Sequence, residues 1–172
     1  RPRVGEGQMQ ADDPGTINAV SGCSGGGRVA IGEKEKNGGP AFLLYGLNLK
    51  HEHLPEIRHY SGLTRQPIFV PSVGHFPQGM IVSIPLHLKD LPGQPSAAEI
   101  EAVLQEAYAG CAHVRVVPAE TQLVADTLAH TDDMELRVHH NGEQVVLTAR
   151  LDNLGKGASG AAIQNLLLML GL

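Results

Sequence analysis

Tryptophan is missing from this 172-residue chain, which carries only three phenylalanines and three tyrosines. A surface that stacks unpaired bases needs several aromatic faces, so that class of function is excluded. Basic runs are missing as well: 13 Lys and Arg face 18 Asp and Glu, for a net charge of −5. This balance argues against a nucleic-acid or anionic-membrane surface, while leaving small anionic substrates to local groups. No apolar run is long enough to cross a bilayer; the last one, Ile163 to Leu172, stops short. The two cysteines, Cys23 and Cys111, stand far apart without a secretory signal, which reads as reduced thiols in a cytoplasmic protein. The start, Arg1-Pro2-Arg3-Val4-Gly5, has neither an initiating Met nor a signal core, and reads as a piece of something longer or a processed product.

What is there fits one domain with its own core. Residues 1–15, rich in Gly, Gln, Asp and Pro, read as a connector or tail; 16–151 as the folded domain; 152–172 as a glycine-rich loop and a terminal helix. Thr16 to Val20 leans to strand, followed by the loop Ser21-Gly22-Cys23-Ser24-Gly25-Gly26-Gly27-Arg28. That loop is either a plain turn or a cradle whose open N–H groups, hydroxyls and cation suit a phosphate or carboxylate. Gly32 to Gly39 reads as an exposed loop, Leu47 to His53 as extended, and Pro55 to Ser61 as a short helix stopped at Gly62. Pro71 demotes Pro67–Val73 to an edge strand or bend, whereas Met80 to Leu88 is the clearest strand. Ser96 and Glu99 have capping-box spacing, with Ile100, Val103, Leu104, Ala107 and Tyr108 following at helical period until Gly110. Ala112 to Val117 reads as strand, and Thr121 to Ala129 as either strand or helix. Asn141-Gly142 predicts a hairpin between Met134–His140 and Glu143–Leu151, with both turn residues at positive φ. Strands outnumber helices and are not interleaved with them, so the expected fold is α+β: a mixed, largely antiparallel sheet with helices on one face.

The chemically densest stretch is His51-Glu52-His53-Leu54-Pro55-Glu56. On an extended segment both imidazoles would project from one face. Two functions compete for them. They could supply two metal ligands, with His59 or His75 as a third, or one could serve as a general acid/base beside an orienting partner. Cys23, beside Arg28 and open N–H groups, is then the tempting nucleophile; Cys111 reads as a packed thiol, and His139-His140 as surface residues.

Taken together, Ser21 to Arg28, His51 to Glu56, Pro71-Ser72-Val73 with Gly79-Met80, and Asp152-Asn153-Leu154-Gly155-Lys156-Gly157-Ala158-Ser159-Gly160 through Asn165 resemble the shorter type of N-acetyl-gamma-glutamyl-phosphate reductase, within the aspartate-semialdehyde dehydrogenase-like enzymes. The resemblance runs from Ile17 to Leu172. It implies the C-terminal substrate-binding and dimerisation portion of an NADP-dependent enzyme of arginine biosynthesis, forming a homo-oligomer, dimer or tetramer. Such enzymes reduce an acyl phosphate through a cysteine thioester. It further implies that His53 is the acid/base, that Ser21, Gly22, Arg28 and His51 line the substrate pocket, that Asn153 approaches the nicotinamide of NADP, and that no metal takes part. The family's nucleophile segment and a strand–GxGxxG–helix unit are expected upstream of Arg1, in an N-terminal NADP-binding domain against which the terminal helix packs. Cys23 is then not the nucleophile, and the chain alone is expected to be inactive, a binding and dimerisation module by itself. Where the resemblance calls for an arginine before Gly79, the chain has Gln78; Arg58 and Arg65 are the available substitutes.

Overall fold

The structure, a computed structural model, describes residues 15–26 and 38–171 together with Asp12, Gly32 and Lys36. Arg28, most of the tail 1–15 and half of the loop Gly32 to Gly39 lie outside the described residues. In chain order the elements are β1 Thr16–Gly22, β2 Phe42–Leu44, α1 His53–Ser61, β3 Ile68–Gly74, β4 Met80–His87, α2 Ala97–Ala107, β5 Val114–Val116, β6 Met134–Asn141, β7 Gln144–Leu151 and α3 Gly160–Leu170. The strands form one seven-stranded sheet in the order β2-β3-β1-β4-β7-β6-β5. β1 runs parallel to β3 and β5 parallel to β6, while the other neighbours are antiparallel. The expected mixed α+β sheet is what forms.

The register makes the two faces chemically different. On one, Ala19 aligns with Val82, Val82 with Ala149 and Ala149 with Leu136; on the other, Asn18 aligns with Ser83, Ser83 with Thr148 and Thr148 with Arg137. The apolar face carries the core, in which Val138 and Val145 pack with Leu88, Leu91 and the α2 residues Ala97 and Ile100. Burying such side chains stabilises the fold by about 25 cal/mol per Å² of apolar surface removed from water. α2 begins as its sequence predicts: Ser96 Oγ accepts the Glu99 N–H at 3.2 Å, and the Glu99 carboxylate accepts the Ser96 N–H at 2.7 Å.

The polar face buries an ion network under the segment 117–130. Arg150 donates to Glu135 at 2.6 Å and Arg137 reaches the same carboxylate at 2.9 Å. Arg137 also donates to the Pro118 carbonyl at 3.2 Å and to Glu120. Burial alone would raise the Glu135 carboxyl, but the hydrogen bonds and charges of Arg150 and Arg137 outweigh it and hold the pKa below the ordinary value.

Four expectations fail. Pro71 lies in β3, which has neighbours on both sides rather than forming an edge. It is tolerated because its carbonyl, accepting from Tyr45 N at 3.2 Å, points toward β2 past the last β2 pair, Leu44 with Ser72. The missing N–H points the same way and breaks no ladder bond. The hairpin turn lies one residue later than predicted: Asn141 pairs with Gln144, so Gly142-Glu143 is the loop and only Gly142 has positive φ, at 58°. A glycine at the first central position is the alternative tight hairpin turn. Thr121 to Ala129 is neither strand nor helix but irregular chain entering a turn at 125–130. Cys111 is exposed just beyond α2, not packed.

Candidate functional site

β1 delivers Ser21 and Gly22 to the end of the sheet, where the chain turns through Cys23–Gly26. The N–H groups there are not open, contrary to the anion-cradle expectation. Gly22 N donates to Gly79 O at 2.8 Å, Cys23 N to Phe76 O at 2.9 Å and Ser24 N to Pro77 O at 3.1 Å. The loop is zipped to the segment 75–79. Contact is so close that a Cβ on Gly22 would lie 2.6 Å from Gln78 N.

The same segment is gripped from the other side by Asp152 and Asn153, at the end of β7. Asn153 Oδ1 accepts the Gly79 N–H at 2.8 Å, and its Nδ2 donates to Ser24 Oγ at 2.9 Å. Asp152, fully buried, accepts from Gln78 Nε2, from His130 N and, at 2.8 Å, from Leu154 N. Burial by itself raises its carboxyl; the N–H groups of Leu154, Gly155 and His130 and the Gln78 amide outweigh that and lower the pKa. Gln78, standing where the resemblance calls for arginine, therefore turns inward to a buried carboxylate. Arg58 and Arg65 are exposed.

Residues 155–160 spell glycine-x-glycine-x-x-glycine between a strand and a helix, a string that elsewhere binds dinucleotide phosphates. Its glycines are used here for packing. A Cβ on Gly155 would strike the Thr131 carbonyl, and one on Gly160 the Asp132 carboxylate, which occupies the space at the start of α3. An anion site there would need that carboxylate gone.

The histidines meet by a different geometry from the one their spacing predicts. Residues 47–49 turn, Glu52 is already helical in backbone angles, and His53 opens α1, so the extended strand is overturned. The rings still come together, with centroids 4.9 Å apart. The tie is local: His53 N donates to His51 Nδ1 at 3.2 Å. His51 also lies edge-on to Phe69, centroids 5.0 Å apart, and tilted against Tyr45 at 5.5 Å. Burial, then the neighbouring His53, lower the His51 pKa against the opposing pull of Glu52, while burial and Glu52 raise that of Tyr45. His53 is exposed.

Phe69 aligns with Ile17, four residues before Ser21 on the same side of β1. A Cβ on Gly46 would lie 3.4 Å from the His51 ring and 3.3 Å from Pro71, the partner of Ala19, so the imidazoles sit beside the stretch of β1 that leads to Ser21. The arrangement is a two-ended site, with titratable imidazoles at one end and a rigid polar corner of Ser21, Ser24 and Asn153 at the other. Sequence reasoning singled out Ser21, Gly22 and Asn153 but gave no role to Asp152, Gln78 and Gly79, which hold them. Asp152, adjoining Asn153 and followed by a glycine string, was the signal available.

Among the described residues no three His, Cys, Asp or Glu side chains cluster as metal ligands would. His59 lies against Tyr60, and His75 Nδ1 is 3.4 Å from the Pro40 carbonyl. His139, read from sequence as a surface residue, is half-buried and bonded to Thr148 Oγ1 at 2.9 Å.

Similarity to known proteins agrees with this geometry. Residues 1–153 match the family described as semialdehyde dehydrogenase, dimerisation domain. N-acetyl-gamma-glutamyl-phosphate reductases of Brucella ovis and Brucella abortus are 51% identical across 99% of this chain. The chain spans 59% of the length of these curated relatives. Aspartate semialdehyde dehydrogenase II from Vibrio cholerae superposes with a TM-score of 0.60 at 15% identity, covering 90% of this chain and 55% of that one. The enzyme from Francisella tularensis superposes with a TM-score of 0.63 at 11% identity, covering 91% and 58%. At such identities the solved structures speak for the fold alone. With its mixed sheet, its apolar core face and its matched residues, the chain belongs to the semialdehyde dehydrogenase dimerisation-domain family.

Proposed function

We propose that this chain is the substrate-binding and dimerisation portion of an NADP-dependent reductase that converts N-acetylglutamyl 5-phosphate to N-acetylglutamate 5-semialdehyde and phosphate. The observation that carries this reading is the 51% identity over 99% of the chain to reductases of that name. The two-ended site supports it, because a reduced acyl phosphate needs a proton-transfer group at one end and fixed polar contacts along the rest of the molecule.

In this reading a cysteine thiolate of an N-terminal domain attacks the acyl carbon, the carbon–oxygen bond to phosphate breaks, and phosphate departs. NADPH, when bound, supplies the hydride that brings the acyl group to the aldehyde level. His53, exposed in the first turn of α1, takes the thiol proton before attack and returns it when the carbon–sulfur bond breaks. Ser21 and Gly22 shape the far end of the substrate pocket, with Arg28 as its cation. Asn153 fits a nicotinamide contact: beyond its bonds to Gly79 and Ser24, its amide has one further N–H. Residues 152–172 carry α3 onto the NADP-binding domain, residues 1–15 form the connector, and the assembled cytoplasmic enzyme is a homo-oligomer.

The test is made in a full-length reductase carrying this chain, assayed with N-acetylglutamate 5-semialdehyde, phosphate and NADP. His53→Asn is expected to lower turnover by roughly 100-fold or more, with cofactor affinity little changed. An unchanged rate removes His53 from the chemistry, and failure to turn over these reactants removes the substrate assignment.

A further inference from the structure

The two histidines of the site are not equivalent, and the hydrogen bond between them says how they differ. A backbone N–H can only donate, so the contact from His53 N to His51 Nδ1 at 3.2 Å requires a lone pair on Nδ1. A neutral His51 ring then carries its proton on Nε2. Turning the ring over would break this bond, and the flanking rings of Phe69, Tyr45 and His53 hold it at centroid distances of 5.0, 5.5 and 4.9 Å. Nε2 has no hydrogen-bond partner among the described residues and is not among their buried unsatisfied atoms, so it is open to a ligand arriving from solvent.

We infer that His51 is a fixed neutral donor, presenting Nε2–H to an acceptor oxygen of the substrate and leaving proton transfer to His53. This rests on the function proposed above and divides the labour within it. The titratable and charged groups around His51 are His53, Glu52 and Tyr45. Burial and His53 favour the neutral ring, and Glu52 opposes them. A donor that does not change charge grips the substrate equally while His53 cycles its proton, whereas a charged His51 would raise the energy of a protonated neighbour.

Long-range proton–nitrogen NMR on the labelled chain at about pH 8, well above the ordinary histidine value, reads the tautomer directly. The expected result is a protonated Nε2 and a bare Nδ1 for His51; a protonated Nδ1, or a fast mixture of tautomers, overturns the inference. Titration with N-acetylglutamate 5-semialdehyde supplies the second readout. His51→Gln, whose amide N–H can replace the donor, is expected to stay close to wild type, while His51→Leu weakens binding about tenfold, the value of one hydrogen bond to a polar ligand. Equal losses in both variants, or none in either, overturn the donor role while the substrate assignment stands. No binding by the wild-type chain overturns both.

Discussion

Asn153 accepts the N–H of Gly79 at 2.8 Å, and Gly79 sits at a φ of 118°, where a side chain is not tolerated. Strain and space agree at this position, since a Cβ on Gly79 would lie 2.7 Å from the Cα of Asp126. Asn153→Ala orphans a buried N–H and releases Ser24, and is expected to destabilise the chain by about 1–3 kcal/mol in urea unfolding. Gly79→Ala should exceed it, because backbone atoms cannot step aside as a side chain can. A Gly79→Ala protein as stable as Asn153→Ala would contradict the packing described.

Asp152 gives the fold an acid limit. Its folded-state pKa lies below the ordinary value, so its contribution is present above the unfolded value of about 3.9 and is lost as the pH falls through the folded one. Glu135 is lowered as well and adds to the same limb. Urea midpoints between about pH 3 and 6 should therefore fall more steeply in the wild type than in Asp152→Asn. Identical slopes would show that the buried carboxylate does not titrate with unfolding.

The Glu135 network behaves as a unit. Arg137 and Arg150 are 3% and 6% exposed, so Glu135→Ala leaves two buried cations sharing the partly exposed Glu120. The expected loss is about 3–5 kcal/mol. Replacing all three together, Glu135→Leu with Arg137→Met and Arg150→Met, is expected to cost less than that single change, as measured by urea unfolding. A triple variant less stable than Glu135→Ala would mean that the pairs are strongly net favourable.

α3 presents Ile163, Leu166, Leu168 and Met169 to solvent at 56%, 54%, 76% and 84% exposure. Since little is buried there, Leu168→Lys with Met169→Lys should alter stability by no more than about 0.5 kcal/mol each. Lysines also suit the C-terminal end of a helix. The pair should reduce concentration-dependent association of the isolated chain in analytical ultracentrifugation, because an exposed apolar patch of this kind drives self-association. Unaltered association would locate the sticky surface elsewhere, with the exposed Phe42, Leu43 and Leu44 of β2 next in line.

Local chemistry was legible in the sequence wherever it acts over a few residues. The capping box at Ser96 and Glu99, the alternating strand from Met80 and the glycine stop at Gly62 all appear as read. What escaped depends on distant partners. Pro71 looked like an edge residue because nothing local reveals that β2 ends one pair before it. The histidines looked like strand neighbours because spacing cannot register that the His53 N–H will cap the His51 ring. The N–H groups after Ser21 looked open because their acceptors, the carbonyls of Phe76, Pro77 and Gly79, lie more than fifty residues away. Ser21, Gly22 and Asn153 were legible as a group through family resemblance, whereas Asp152, which organises them, was marked only by its place beside Asn153 and ahead of the glycine string.

Asp152 and Asn153 are consecutive, and through Leu154, Gly155 and the bond from Gly157 N to Asp152 O at 2.8 Å they run without slack into the base of α3. Gln164 anchors the helix again at the Asp132 carbonyl, 3.3 Å away. An eleven-residue helix is about 16 Å long. Its base and the Asn153 amide that holds Ser24 thus share one continuous run of short bonds, so the helix and the polar corner of the site are joined in sequence as well as in space.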